Sequence, residues 1–194
     1  MSEERAGLPI VAFANSDELE RWLDAQRPDA KGLWIKFAKK GSGIASVTKA
    51  EAIDAALCFG WIDGQLDTYD ERHWLIRFTP RKRASKWSLA NRTRAAELIE
   101  MGRMRAGGLA QVEAAMADGR WNAAYASAAR AEVPDDLRAA LDANSKARAF
   151  FATLTGANRY AILYRIGAVK RPETRARKIA EFVAMLERGE TIHD

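Results

Sequence analysis

The order of hydrophobic and polar positions predicts an amino-terminal half that mixes helices with a sheet. Asn15 to Gln26 has one apolar face, as an amphipathic helix does, with Asn15 or Ser16 as the expected cap and Pro28 as its end. Gly32 to Ala38 alternates and is rich in β-forming residues, which indicates a strand. Thr48-Lys49-Ala50-Glu51 is a capping box, so we expect a second helix that reaches about Cys58.

The chain after Gly60 predicts a β-hairpin. Apolar and polar residues alternate from Ile62 to Asp67 and again from His73 to Thr79, with a turn at about Thr68 to Arg72. The expected register pairs three sets of residues: Asp67 with His73, Gln65 with Leu75, and Asp63 with Arg77. An ion pair between Asp63 and Arg77 would either hold the register of the sheet or orient the guanidinium toward a ligand anion.

A third helix should follow the hairpin. Thr79-Pro80 ends the second strand because proline has no N–H to give to the sheet. Ser85 is the expected cap of a helix from Lys86 to about Met101, which Gly102 ends. Trp87 and Asn91 would then share one helix face, where Trp87 either covers the core or stacks on a ligand.

The composition changes after Gly102. Leu109 to Met116 predicts a short helix with Gly107-Gly108 and Gly119 as breaks, and Trp121 to Ala131 a loosely structured connector. From Val133 onward the expected segments are helices, which open at Pro134, at Asn144 or Ser145, at Thr155 and at Pro172. We therefore expect three parts: an α+β domain (1–104), a short helix with a connector (105–132), and an all-helical carboxyl-terminal module (133–194).

Positive charge is concentrated in two segments of a basic chain whose net charge is +5. Arg72 to Ala96 contains eight Lys or Arg and no carboxylate, and Arg159 to Lys178 contains seven against Glu173 alone. Such a concentration either attracts anions or is scattered over several faces, where it serves solubility. Arg81-Lys82-Arg83 precedes a predicted helix start, whose free N–H groups favour an anion. We therefore take this turn as the best candidate binding locus, although it lacks a phosphate-loop signature.

Several function classes are disfavoured by what the chain lacks. Cys58 is the only cysteine and should pack in the core, and there are two histidines, so we expect no metal and no cofactor. Asp63 and Asp67 could form an acid/base pair, but Arg77 would keep Asp63 ionised, and His73 is the only interior histidine for a triad. We leave catalysis open and favour binding.

Neither a secretory signal nor a membrane-spanning run is visible in the sequence. The first residues lack the basic and then apolar pattern of an export signal, and no apolar run approaches about 20 residues. We therefore expect a cytoplasmic protein.

Several motifs together resemble a known bacterial family. They are Ala56 to Gly64, Arg77 to Lys82, Ser85 to Asn91, Met101 to Met104, Asn158 to Tyr160 and Ala168 to Arg175. In these motifs the chain resembles the YdeI/OmpD-associated family from about Gly32 to Gly189. The resemblance implies a link by name to bacteriocin protection and to an outer-membrane porin, in a mostly uncharacterised family with no catalytic residues to carry over. The amino half also resembles YjbR/CyaY-like domains in layout, with helices packed on an antiparallel sheet.

These observations lead to one functional hypothesis and one alternative. The first is a module that binds an anionic small molecule or an acidic protein, with nucleic acid as a subclass that no known motif supports. Its candidate ligand residues are Trp61, Asp63, Arg77, Thr79, Arg81, Lys82, Trp87 and Asn91. The alternative is a protein-interaction module for stress or bacteriocin protection, in which the helical half docks a partner through its basic face.

Overall fold

The computed structural model describes residues 3–27, 29–125, 131–154 and 156–193. Contacts divide the chain into two compact units, Met1–Ala124 and Tyr125–Asp194. The first unit combines a sheet with helices and the second is helical, so the predicted α+β class is confirmed. The three-part division at residues 104 and 132 stays a prediction.

The sheet of the first unit is mixed rather than antiparallel. Its strands are β1 (Glu4–Arg5), β2 (Leu8–Ala12), β3 (Leu33–Ala38), β4 (Trp61–Thr68) and β5 (His73–Pro80), in the order β1-β2-β3-β5-β4. Strand β2 runs parallel to β3, and the other neighbours are antiparallel. Strands β1 and β2 were not predicted from the sequence, because the two residues of β1 are too few for a pattern and Pro9 interrupts the short run of β2.

The two edge strands of this sheet meet across one face. Arg5 Nη1 on β1 donates to Asp67 Oδ2 on β4 at 2.6 Å and to the Thr68 carbonyl at 3.0 Å. In a flat sheet these strands would lie about 19 Å apart, at roughly 4.8 Å per spacing. The sheet is therefore strongly curled, and Trp34 and Leu75 are buried on the curled face.

The described residues of the first unit also form four helices. They are α1 (Ser16–Asp24), α2 (Lys49–Cys58), α3 (Leu89–Glu100) and α4 (Ala106–Ala117). The side chain of Asn15 accepts from Glu18 N, and Thr48 and Glu51 satisfy each other's backbone donors. Of the two caps expected for α1, Asn15 is the one observed. The predicted cap and bounds of α2 are confirmed.

The main core lies between the sheet and the first two helices. Leu19 and Leu23 of α1 and the small residues of α2 pack on one sheet face, whose buried members include Leu33, Ile35, Phe37, Ile76 and Phe78. Cys58 belongs to a second cluster with Trp87 and Leu98, and burial raises the pKa of its thiol. The prediction that Cys58 packs in the interior is confirmed.

Gly107 and Gly108 lie inside α4, so the prediction that they break the helix was wrong. A Cβ on Gly108 would lie 2.3 Å from the Cys58 carbonyl oxygen, and one on Gly107 would lie 2.9 Å from that of Phe59. The Arg105 N–H also donates to the Cys58 carbonyl. These glycines let the first turn of α4 approach the end of α2, which local propensity cannot reveal.

The second unit contains four helices in its described residues. They are α5 (Asp135–Asp142), α6 (Ser145–Thr153), α7 (Gly156–Gly167) and α8 (Pro172–Glu187), and they surround a core that includes Leu137, Phe151, Ile162, Ile166, Phe182 and Leu186. Asn144 caps α6 and Pro172 occupies the first turn of α8, as predicted. Three predictions, on Pro28, on Thr155 and on residues 126–130 of the connector, fall outside the described residues.

Candidate functional site

The hairpin forms, but its register differs from the predicted one. Asp67 pairs with Leu75 rather than with His73, so the register is already shifted by two residues next to the turn. One extra residue then bulges from β4 between Asp63 and Leu66, and beyond this bulge Asp63 pairs with Phe78. Phe78 lies on the core face, so Asp63 and the exposed Arg77 point to opposite faces of the sheet. The predicted Asp63–Arg77 pair is therefore wrong, both as a register clamp and as a site floor.

The third helix begins three residues later than predicted. Its cap is Ser88, whose Oγ accepts from Asn91 N, and the helix starts at Leu89. Ser85 instead closes a tight turn, in which Lys82 N donates to Ser85 Oγ and Ser85 N to the Lys82 carbonyl. Trp87 precedes the helix and shares no helix face with Asn91. Residues 81–88 thus form an irregular connection, which we call the basic loop.

Arg81 anchors the basic loop from the inside. Its side chain is 6% exposed, and its guanidinium carbon lies 3.7 Å from the centre of the Trp87 ring. Arg81 Nη1 donates to the Lys86 carbonyl at 3.3 Å, and the Arg81 N–H donates to the Gly60 carbonyl at 3.0 Å. The loop is therefore tied both to its own end and to the start of β4.

A second arginine, Arg120, holds the basic loop from a distant part of the chain. Its Nη1 donates to the Ser85 carbonyl at 2.9 Å, and its Nε donates to both Asp118 oxygens at 2.8 and 2.9 Å. These hydrogen bonds lower the pKa of Asp118, and the charge of Arg83 lowers it further. Trp121 packs edge to face on Trp87 at 5.0 Å. Arg120 and Asp118 were not predicted as part of this site, because no local pattern in the sequence links Arg120 to Ser85, which lies 35 positions earlier.

Some of the cationic side chains between Arg72 and Ala96 are engaged in hydrogen bonds or ion pairs within the protein. Arg72 donates to the Ser42 carbonyl, and Arg92 donates to the Trp121 carbonyl. Arg94 forms a bidentate ion pair with Asp54, which connects α3 to α2. In contrast, Arg77, Lys82 and Arg83 are exposed and form no ion pair within the described residues. Lys86 is also exposed. The charge available to a ligand is therefore carried mainly by the basic loop.

The other predicted ligand residues are dispersed. Trp61 is buried and packs edge to face on Trp22 at 5.8 Å, as a core residue does. Thr79 is half-buried on β5. Asn91 Nδ2 donates to Asp63 Oδ1 at 3.4 Å, which places the start of α3 beside β4. The roles of these residues in ligand binding stay predictions.

A cavity of about 520 Å³ adjoins the basic loop. Its lining combines one loop residue, the last turns of α4 and the turn that follows: Arg83, Gln111, Ala114, Ala117, Asp118 and Arg120. Arg120 Nη2 is buried without a hydrogen-bond acceptor in the described part of the chain. The cavity thus joins two guanidinium groups to one carboxylate and an amide.

The second unit has a separate groove between α5 and α8. It measures about 730 Å³ and has a largely aliphatic lining that includes Ala140, Ala176, Ile179, Ala180, Val183 and Ala184. Lys170 lies at one end of the groove and Glu187 at the other. Arg175 borders it while bonded to Asp136 at 2.5 and 3.0 Å.

Within the described ranges, no group of three or more His, Cys, Asp or Glu side chains is arranged to hold a metal ion. None of the described helices combines the length and apolar character that crossing a membrane requires.

Two family models match the chain, one in each half. Residues 11–111, more than half of the sequence, match a domain of unknown function, DUF8412. The chain belongs to that family. Residues 130–189 match the family described as bacteriocin-protection, YdeI or OmpD-associated. No curated protein and no solved structure matches the chain.

The second match confirms the resemblance to the YdeI/OmpD-associated family over residues 130–189. The second match covers the carboxyl-terminal motifs around Asn158 and Lys170, as expected. The amino-terminal motifs from Ala56 to Met104 fall instead within the DUF8412 match. The extension of the resemblance back to Gly32 stays a prediction.

Proposed function

We propose that the first unit of this DUF8412 protein is a binding module for an anionic ligand or an acidic partner, and that the basic loop is its contact surface. The observation that carries the proposal is the pair of inward arginines, Arg81 and Arg120, which bond the loop backbone at Lys86 and Ser85. With the backbone held in this way, Lys82 and Arg83 stand exposed without ion pairs among the described residues.

Electrostatics favours such a surface. Cations that are already paired offer little to a ligand, whereas exposed cations on a fixed backbone attract an anion without further ordering of the chain. Because the charges are exposed, the attraction is screened by salt over about 10 Å at 0.1 M. Binding should therefore weaken as salt is added.

The experiment is a titration of the protein with a penta-glutamate peptide at low salt. The variant Lys82→Glu/Arg83→Glu should lower the affinity about tenfold or more. The control Lys31→Glu/Lys40→Glu carries the same charge change on exposed residues of the same unit that form no ion pair within the described residues, and should change the affinity less than about threefold. Equal losses of affinity in the two variants would show that only the net charge of the protein matters, which would contradict the proposal.

A single-stranded oligonucleotide provides a second arm of the same titration. If nucleic acid is the partner, the logarithm of its affinity should fall linearly with the logarithm of the salt concentration, because each neutralised phosphate releases counterions. An affinity that stays flat between low and high salt would remove nucleic acid from the possible partners and leave peptide and small-molecule anions.

The carboxyl-terminal match favours a second candidate function, that of a protein-interaction module. The family is described by bacteriocin protection, and the groove of the second unit is apolar with opposite charges at its ends, Lys170 and Glu187. The occupant that fits is an amphipathic partner helix with an acidic residue near Lys170 and a basic one near Glu187.

The groove can be blocked by one substitution. Ala180→Arg places a long charged side chain on the groove wall, and Ala152→Arg makes the same change on an exposed position of α6 outside the lining. A defined partner protein should bind the wild type and the Ala152→Arg variant and lose at least tenfold in affinity for Ala180→Arg. Equal binding to both variants would exclude the groove.

A further inference from the structure

The cavity beside the basic loop narrows the kind of anion that the first unit accepts. We infer that it holds a small organic molecule through one singly charged anionic group, a carboxylate or a phosphodiester. This inference rests on the proposed function, because it specifies where on the same surface the anion binds and what charge it carries.

The net charge of the cavity lining favours a ligand group that carries a single negative charge. Arg83 and Arg120 contribute two positive charges, and Asp118 contributes one negative charge, because the hydrogen bonds from Arg120 hold its pKa low. A singly charged group balances the remainder. A doubly charged phosphate would leave an excess of negative charge beside the Asp118 carboxylate, where like charges repel.

The two arginines differ in what they can offer. Arg120 is fixed by Asp118 and by the Ser85 carbonyl, and its buried Nη2 lacks an acceptor among the described residues. A guanidinium held in this way keeps its positive charge at the cavity wall, where it can attract an anion without further ordering of the side chain. Arg83 also lines the cavity, is exposed and makes no ion pair within the described residues, so its guanidinium is available to the same anion.

The remaining walls point to an organic body on the ligand. The cavity volume of about 520 Å³ lies within the range of small-molecule sites and exceeds what a bare ion fills. Ala114 and Ala117 present methyl groups, and Gln111 offers an amide donor and acceptor. The lining thus combines an anion clamp with a small apolar wall.

The test is an amide NMR titration of the full chain with three probes at constant ionic strength. The probes are benzoate and dimethyl phosphate, which carry one charge each, and inorganic phosphate at about pH 8, where it is mostly doubly charged. Saturable shifts should appear at residues 83, 111, 114 and 117–120 with at least one singly charged probe. Which of these two probes binds distinguishes carboxylate from phosphodiester. Inorganic phosphate that binds tenfold more tightly than either would overturn the inference.

A cavity-filling variant separates this inference from the proposed function. Ala114→Phe fills the cavity without changing charge, and Ala110→Phe is its control on an exposed position of the same helix outside the lining. Ala114→Phe should weaken binding of the singly charged probe tenfold or more, with an unchanged thermal unfolding midpoint, and Ala110→Phe less than twofold. If Ala114→Phe binds like the wild type while Lys82→Glu/Arg83→Glu still loses the acidic peptide, the inference fails and the proposed function stands. If that charge reversal has no effect on the peptide, the proposed function itself fails.

Discussion

The guanidinium carbon of Arg81 lies 3.7 Å from the centre of the Trp87 ring, and the two side chains are only 6% and 2% exposed. A buried arginine is unusual, because removing its charge from water is costly unless other groups replace the water. Here the aromatic face and the Lys86 carbonyl are two of these groups. Arg81 thus acts as an internal support of the basic loop, and the exposed cations beside it are left to face solvent.

Substituting Arg81 should loosen the loop and destabilise the first unit. Arg81→Ala removes the stacking on Trp87 and the bond to Lys86, so the free energy of unfolding should fall by about 2–3 kcal/mol. Amide hydrogen exchange within residues 82–86 should accelerate. Lys82→Ala, at an exposed neighbour, should stay within about 0.5 kcal/mol of the wild type. Similar free energies of unfolding for the two variants would show that the stacking of Arg81 on Trp87 does not stabilise the first unit.

Gly108 should be intolerant of any side chain. Gly108→Ala places a methyl group 2.3 Å from the Cys58 carbonyl oxygen, which is backbone and cannot move aside cheaply. The strain should outweigh the better helix propensity of alanine and cost about 1–3 kcal/mol in urea unfolding. Gly167→Ala is the control, because a Cβ there meets nothing within 4 Å, and this change should be neutral or stabilising. Equal tolerance at both positions would contradict the close approach of α4 to α2.

The bridge between Arg5 and Asp67 should be measurable as a coupling energy. Both side chains are more than a third exposed, so a double-mutant cycle of Arg5→Ala and Asp67→Ala should give about 0.2–1 kcal/mol. The Arg27–Asp29 pair, at 3.4 Å and far more exposed, should give a coupling near zero. A coupling no larger for Arg5 and Asp67 than for this control would contradict the role of the bridge in closing the curled sheet.

The second unit should show an acid-sensitive contribution from Asp136. Hydrogen bonds from Arg175 lower the pKa of Asp136 in the folded state below its unfolded value of about 3.9. The stabilisation is therefore complete above the unfolded pKa and disappears as the pH falls through the folded pKa. Asp136→Asn should unfold more easily than the wild type at neutral pH, by about 0.5–1 kcal/mol because the pair is half-exposed, and the difference should vanish in acid.

The control for the acid prediction is Asp142→Asn. The Asp142 carboxylate lies 3.5 Å from Arg148 in an exposed pair, so this change should stay within about 0.5 kcal/mol at every pH. A destabilisation by Asp136→Asn that persists unchanged in acid would show that the charge of Asp136 is not responsible.

Local signals predicted the helices well, because capping chemistry is written within a few residues. The Thr48–Glu51 box gave the start of α2, and Asn144 gave that of α6. The start of α3 was wrong because Ser85 and Ser88 are both competent caps. The choice between them involves tertiary bonds to the loop, from Arg81 to Lys86 and from Arg120 to Ser85.

The register of the hairpin and the composition of the site could not be predicted either, because they also depend on the tertiary structure. Alternation revealed the hairpin strands but not the bulge after Asp63, which reversed the face of that residue. Arg120 reaches the basic loop only because α4 folds beside it, so no residue spacing in the sequence predicts this contact. The basic charge was visible in the sequence, whereas its division into inward supports and outward contacts needed the fold.

The most direct test of the account maps where an anion binds on the wild-type protein. An amide NMR titration with the penta-glutamate peptide at low salt should give saturable shifts that concentrate at residues 82–86 and fade as salt is added. Shifts centred on the other exposed cations, such as Lys170 and Arg171, with residues 82–86 unchanged, would contradict the account.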